Sequence, residues 1–131
     1  MSPVIEGTSR LKSVQAEYDF ATDGGAAGVI TLRPIDSLGN SIPAGSVVTG
    51  GFIDVSVACL SASGTIALGI EAANDLVTAA GQASWTTGRK SIVPAGTGAT
   101  SVKTTVARSL AITIATAAFT AGTFRVTVFY K

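Results

Sequence analysis

Apolar side chains recur at every second position in four separate stretches of this 131-residue sequence. In GFIDVSVACL, residues Ile53, Val55, Val57 and Cys59 fall on one side while Asp54 and Ser56 fall on the other. TIALGI repeats the pattern with Ile66, Leu68 and Ile70, SLAITIAT with Leu110, Ile112 and Ile114, and TFRVTVFYK with Phe124, Val126, Val128 and Tyr130. A two-residue period matches the pleat of a strand and not the roughly 3.6-residue turn of a helix, so these runs predict strands with one buried face. Turn formers separate them: Leu38-Gly39-Asn40, Pro43-Ala44-Gly45, Ser63-Gly64, Pro94-Ala95-Gly96 with Gly98, and Ala121-Gly122. Short one-faced strands at such spacing must bury their apolar sides against another sheet, which argues for an all-β sandwich or barrel, and the expected class is all-β, an antiparallel β-sandwich.

One segment breaks the pattern. EAANDLVTAAGQASW is Ala-rich from Glu71 to Ala80, with Asn74 as a candidate N-cap, and predicts a short helix or turn crossing between sheets. Leu76 and Val77 are then expected to point inward, with Trp85 packing at the far end. Residues before Val14 lack periodicity and contain Pro3 and Gly7. The expected organisation is an extended arm over 1–13 and a single sandwich domain over 14–131, with a polar loop at 94–105 whose one core candidate is Val102.

Charge narrows the partners. Charged residues are 13% of the chain and the formal net charge is +1. The basic residues Arg10, Lys12, Arg33, Arg89, Lys90, Lys103, Arg108, Arg125 and Lys131 are scattered among carboxylates and apolar runs, which argues against direct nucleic-acid binding by a continuous basic face. Cys59 is the single cysteine, set among apolar neighbours, and reads as a small buried hydrophobe. MSPVIEGTSRLKS has neither a basic opening nor an apolar core, and no apolar run reaches the roughly 18 residues of a bilayer span, so residence in a cytoplasm or in an assembly built there is expected.

Histidine is absent, which removes Ser-His and Cys-His chemistry and the commonest metal ligand. Glu17, Asp19 and Asp23 form the densest carboxylate cluster, weighed as a calcium site against a solvated strand face and read as the latter. Asp36, Asp54, Glu71 and Asp75 are the remaining candidates for a paired-carboxylate centre; Asp54 sits on an outward position, and Glu71 and Asp75 flank a turn, so solvated or capping roles are expected. GGAAG at Gly24–Gly28 invites comparison with a phosphate loop. It lacks a following helix and a lysine, and Gly24 and Gly25 are better suited to the positive φ angles of a tight turn after Asp23.

AEYDFATDGGAAGVITL, SIPAGSVVTGGFIDVSVAC, TIALGIEAANDLVTAA and SLAITIATAAFTAGTFRVTVFYK together resemble the small β-sandwich structural proteins of tailed bacteriophages that decorate or cement the capsid shell. The likeness spans nearly the whole chain and rests on composition and spacing. It implies a jelly-roll-like or related sandwich without enzymatic activity or cofactor. It also implies a homo-oligomer, trimer or dimer, that bridges major capsid protein subunits on the outer surface of a virion assembled in the host cytoplasm. Abundant Ala, Ser, Thr and Gly with few charges suits such extensive uncharged contacts. On this reading Val4, Ile5 and Leu11 are apolar anchors of the arm, and Arg10 and Lys12 pair with shell carboxylates. Phe119, Phe129 and Tyr130 are candidate oligomer contacts, with packing in the chain's own core as the competing role. Two rivals stand beside it: a tail, neck or fibre component, and a carbohydrate-binding module using Trp85 and Tyr18 as stacking platforms, against which the 6% aromatic content weighs.

Overall fold

Residues 12–35, 39–92, 94 and 102–131 are described by a computed structural model. In chain order they form β1 (Lys12–Asp19), the helical turn α1 (Phe20–Asp23), β2 (Gly28–Thr31), β3 (Arg33–Pro34), β4 (Ser41–Ile42), β5 (Val48–Leu60), β6 (Thr65–Gly69), β7 (Val77–Ala80), a 3-10 turn at Gln82–Ser84, β8 (Gly88–Ile92), β9 (Arg108–Ser109), β10 (Ala111–Ala115) and β11 (Ala121–Tyr130). A five-stranded sheet runs β3-β1-β11-β5-β8, a four-stranded sheet runs β2-β10-β6-β7, and β4 and β9 form a separate ribbon. Every pairing among these strands is antiparallel. The first strand lies beside the last, and the second beside the tenth, so the two sheets are wound from nested pairs with the β6–β7 hairpin as the innermost.

The alternation does what it predicts along most of its length. Val14, Ala16 and Tyr18 of β1, Phe124, Val126, Val128 and Tyr130 of β11, and Ile53 and Val55 of β5 face Ile66, Leu68, Ile112 and Ile114 of the other sheet in one core. Tyr18, Phe124 and Trp85 stack in a row through it, with ring centroids 5.2 Å and 5.0 Å apart. Tilted aromatic contacts of this kind add specific stabilisation beyond the area they remove from water. The edge strand β8 turns Lys90 toward the open side of the sandwich, where its Nζ donates to Thr86 Oγ1 at 3.1 Å. A lysine on the inner side of an edge discourages another strand from adding there.

Four expectations are corrected. Val57 is 51% exposed, because register irregularities flank it: Phe124 pairs with Val55, Thr123 with Val57 and Ala121 with Leu60. The first shift turns Val57 outward and the second returns Cys59 to the core, where it is fully buried. The segment from Glu71 to Ala80 is a turn and a strand, not a helix, and the chain crosses to the other sheet only after it, through the 3-10 turn at Gln82–Ser84. The turn is that of a β6–β7 hairpin, and the residue that organises it is Asp75, not Asn74: its carboxylate accepts from the backbone N–H groups of Ile70, Glu71 and Ala72 at 2.9, 3.0 and 2.9 Å. Leu76 and Trp85 are buried as expected, and Val77 is partly so. Ala121-Gly122 lies inside β11 and is not a turn; a side chain at Gly122 would run into Cys59 Sγ, so close strand approach explains that glycine. Of the opening glycines, Gly24 has φ +76 and ends α1, whereas Gly25 has no such angle and is required because a Cβ there would collide with the Phe119 carbonyl oxygen. The helical turn precedes these glycines, the reverse of a phosphate loop.

Candidate functional site

The outward face of the five-stranded sheet carries one charged side chain from each strand in a single cross-strand row. Arg33 pairs with Glu17, Glu17 with Arg125, Arg125 with Asp54, and Asp54 with Arg89. Read across β3, β1, β11, β5 and β8, the charges alternate from positive to negative and back to positive at both ends. Period-two alternation put each on the outer side of its strand, and the register brought them into line.

The row is held unevenly. At its β3 end Arg33 donates through Nε to Asp23 at 2.8 Å and through Nη1 to Glu17 at 3.2 Å. The Asp23 hydrogen bond raises the Arg33 guanidinium further above its already high ordinary value. Arg125 approaches Glu17 more loosely, at 3.6 Å, and is 65% exposed. Among the described residues Asp54 and Arg89 form no ion pair with any other group; the Arg89 guanidinium instead lies 4.5 Å from the centre of the Phe52 ring, a cation–π contact. The next row holds Gln15, Thr127, Phe52 and Ser91, and beyond it Ser13, Phe129 and Gly50. Phe52 and Phe129 tilt against each other at 6.1 Å.

The opposite outer face is chemically different. Across β2, β10 and β6 its outward positions are Val29, Thr113 and Ala67 in one row and Thr31, Ala111 and Gly69 in the next, small and uncharged throughout, with Ala67 and Gly69 themselves buried. Val29 is 70% exposed. The Asp75-bound turn overhangs this face so closely that a Cβ at Gly69 would collide with the Ala72 carbonyl oxygen.

Of the carboxylates considered for metal or acid–base chemistry, Asp54 lies in the charge row without an ion pair among the described residues, and five others hold partners of their own. Glu17 and Asp23 hold Arg33, and Asp19 caps α1 by accepting from Ala21 N–H at 3.1 Å. Glu71 lies at the surface, where it accepts from Thr105 N–H and Oγ1 and from Arg108; the Thr105 hydroxyl first, then its N–H and Arg108, lower the Glu71 carboxyl below its ordinary range. Asp75 caps its own turn, and Asp36 lies outside the described residues. Burial pushes the Cys59 thiol up to about 11, which suits the role of an inert core side chain.

The expected contact residues divide. Val4, Ile5, Arg10 and Leu11 lie outside the described residues. Lys12 opens β1, exposed and opposite Tyr130, so regular pairing begins at Lys12 and Ser13, inside the span read as arm. Phe119 is 1% exposed and packs in the chain's own core, and Tyr130 is buried as well, which leaves Phe129, half-buried against Phe52, as the one of the three with outward surface. Missed altogether was the charge row. Each member was visible as a single charge in a strand, but their alignment depends on pairings as distant as Glu17 with Arg125.

No family model and no curated protein sequence matches the chain. Solved structures do. The fold is similar to a chain of the capsid of Ralstonia phage GP4 (TM-score 0.66, 18% identity, covering 99% of this chain and 89% of that one). It is equally similar to a chain of the cyanophage Pam1 capsid asymmetric unit (0.65, 20%, 99% and 90%). A third likeness is to a chain of the acid-stable capsid of Helicobacter pylori bacteriophage KHP30 (0.58, 18%, 93% and 87%). At these identities the likeness establishes a shared all-β fold over nearly the full length of this chain.

Proposed function

We propose that this chain is a non-enzymatic structural protein of a phage virion, a decoration protein that binds the outer capsid surface and bridges major capsid protein subunits. The observation that carries this reading is the full-length fold match to three separate capsid chains, each itself covered over most of its length. The strand order, with outer pairs enclosing inner ones, supports reading the sandwich as jelly-roll-like. Two chemically distinct outer faces, one charged and one small and uncharged, support a molecule with more than one neighbour. In this proposal residues 1–13 reach across an adjacent subunit, with Val4, Ile5 and Leu11 as apolar anchors and Arg10 and Lys12 pairing with carboxylates.

The test is reconstitution. Purified chain is added to shells lacking it, and co-sedimentation and release under heating are measured; saturable binding with delayed shell disruption is expected. A chain lacking residues 1–11 should bind more weakly while melting as before. Binding to isolated tails but not to shells would reassign the chain to a tail, neck or fibre. The carbohydrate reading loses its platforms, since Trp85 and Tyr18 are 2% and 0% exposed.

A further inference from the structure

We infer that the charged face of the five-stranded sheet pairs with the same face of a second copy of this chain, about a two-fold axis parallel to the strands and lying between β11 and β5. The inference concerns the isolated chain and does not rest on its sitting on a shell.

The row Arg33, Glu17, Arg125, Asp54, Arg89 restricts how two such faces can meet. An axis running across the strands along this row sets each of its charges opposite its own copy, like charge on like charge. An axis along β11 does no better, because Glu17 then faces Asp54 and Arg33 faces Arg89. Displaced by half a strand spacing toward β5, the axis sets Arg125 opposite the partner copy's Asp54 and Arg89 opposite the partner copy's Glu17. Each contact occurs twice. This register supplies countercharges to Asp54 and Arg89, the two members that have no ion pair among the described residues, and leaves outside only Arg33, which Asp23 and Glu17 already hold. The opposite displacement, toward β1, also alternates the signs, but it leaves Arg89 outside and spreads Arg33 over a third carboxylate.

The neighbouring rows agree with the same axis. Gln15 comes opposite Ser91, and Phe52 comes opposite Thr127, which is buried in its own chain and accepts from Gln15 Nε2. Phe129, the aromatic with outward surface, comes opposite Gly50, which has no side chain and open space where one would stand. The paired area is modest: strand spacing and rise give a face of about 500 Å² per copy. Stable complexes bury about 800 Å² per partner, so the pair should form at high concentration and low salt and dissociate as salt rises.

Sedimentation of the full chain at rising concentration tests this. A salt-sensitive dimer is expected. Asp54→Arg and Arg125→Asp, both at exposed positions, should each weaken self-association by about tenfold or more, because like charges then face each other twice. An equimolar mixture of the two variants should pair as well as the unaltered chain, since one copy then carries two positive charges at positions 54 and 125 and the other two negative ones, and both contacts across the axis are again between opposite signs. A chain that stays monomeric at low salt, one that forms trimers through another surface, or a mixture that associates no better than its separate variants would each overturn the proposal. Each variant also sets like charges side by side within its own sheet, a cost present equally in the separate variants and in the mixture, so the gain of association on mixing reads the contacts across the axis.

Discussion

The Asn40 side chain grips the backbone of Leu110 from both ends: its Oδ1 accepts from Leu110 N–H at 3.1 Å and its Nδ2 donates to the Leu110 carbonyl at 3.1 Å. The same Nδ2 donates to the Leu32 carbonyl at 2.7 Å. A turn residue by sequence, Asn40 works here as a buried piece of strand, tying the segment after β2 to the segment before β10. Removing it strands a buried N–H in the interior, and Asn40→Ala is expected to lose about 2–3 kcal/mol. Asn40→Asp should be no better, because a carboxylate cannot donate to either carbonyl. The midpoints of urea unfolding, with slopes unchanged, measure both.

Val57 and Val55 share a parity in sequence but not a face. Val55→Asp is expected to abolish folding, since an unpaired charge in the core costs several kcal/mol. Val57→Asp should cost about 1 kcal/mol or less, as befits an exposed strand position. Far-ultraviolet circular dichroism and thermal melts of the two variants separate these outcomes; an unfolded Val57→Asp chain would place that side chain back in the core.

Those two valines mark the boundary of what the sequence made legible. Hydrophobic alternation is a local property: it located β5, β6, β10 and β11, most of their inner-face residues and the outward position of Asp54. A bulge is set by the partner strand, so nothing within GFIDVSVACL announced that Val57 would turn outward while Cys59 returned to the core. The Glu71–Ala80 segment failed for a related reason. Its alanines favour a helix in isolation, but β6 offers Val77–Ala80 an unpaired edge, and pairing overrides propensity. The charge row is further still from legibility, because it requires the register of five strands at once.

Alkaline pH should destabilise the fold in two overlapping steps. Burial raises Cys59 from 9.0 to about 11, and burial, followed by the nearby Cys59, Asp23 and Asp19, raises Tyr18 from 10.0 to about 12. In each case the folded chain holds the proton more tightly than the unfolded chain. The stabilisation is therefore complete below the unfolded values and is lost as pH climbs through about 9 to 11 for Cys59 and about 10 to 12 for Tyr18. Melting temperatures should fall over that window, and in Cys59→Ala the fall should begin about one unit later; an identical profile would remove Cys59 as the source of the first step. Native Cys59 should also resist a thiol reagent at neutral pH and react fully once unfolded.

Glu71 is the reciprocal case at acid pH. Its carboxylate receives the Thr105 hydroxyl at 2.7 Å, the Thr105 N–H at 3.1 Å and the Arg108 guanidinium at 3.1 Å, binding the β6–β7 turn to the segment entering β9. A carboxyl whose folded value is lowered contributes stabilisation above its ordinary range and loses it as pH falls through the lowered value. Because the group is at the surface, the effect belongs to this junction and not to the whole fold: amides over 102–109 should exchange faster as pH falls, after correction for intrinsic rates, while those of β11 stay protected. Glu71→Gln should show the fast exchange already at neutral pH and abolish its pH dependence. Exchange over 102–109 that is indifferent to the substitution would mean that the segment is held by its backbone pairing to β4, Gly45, Ser46 and Val48 without help from Glu71.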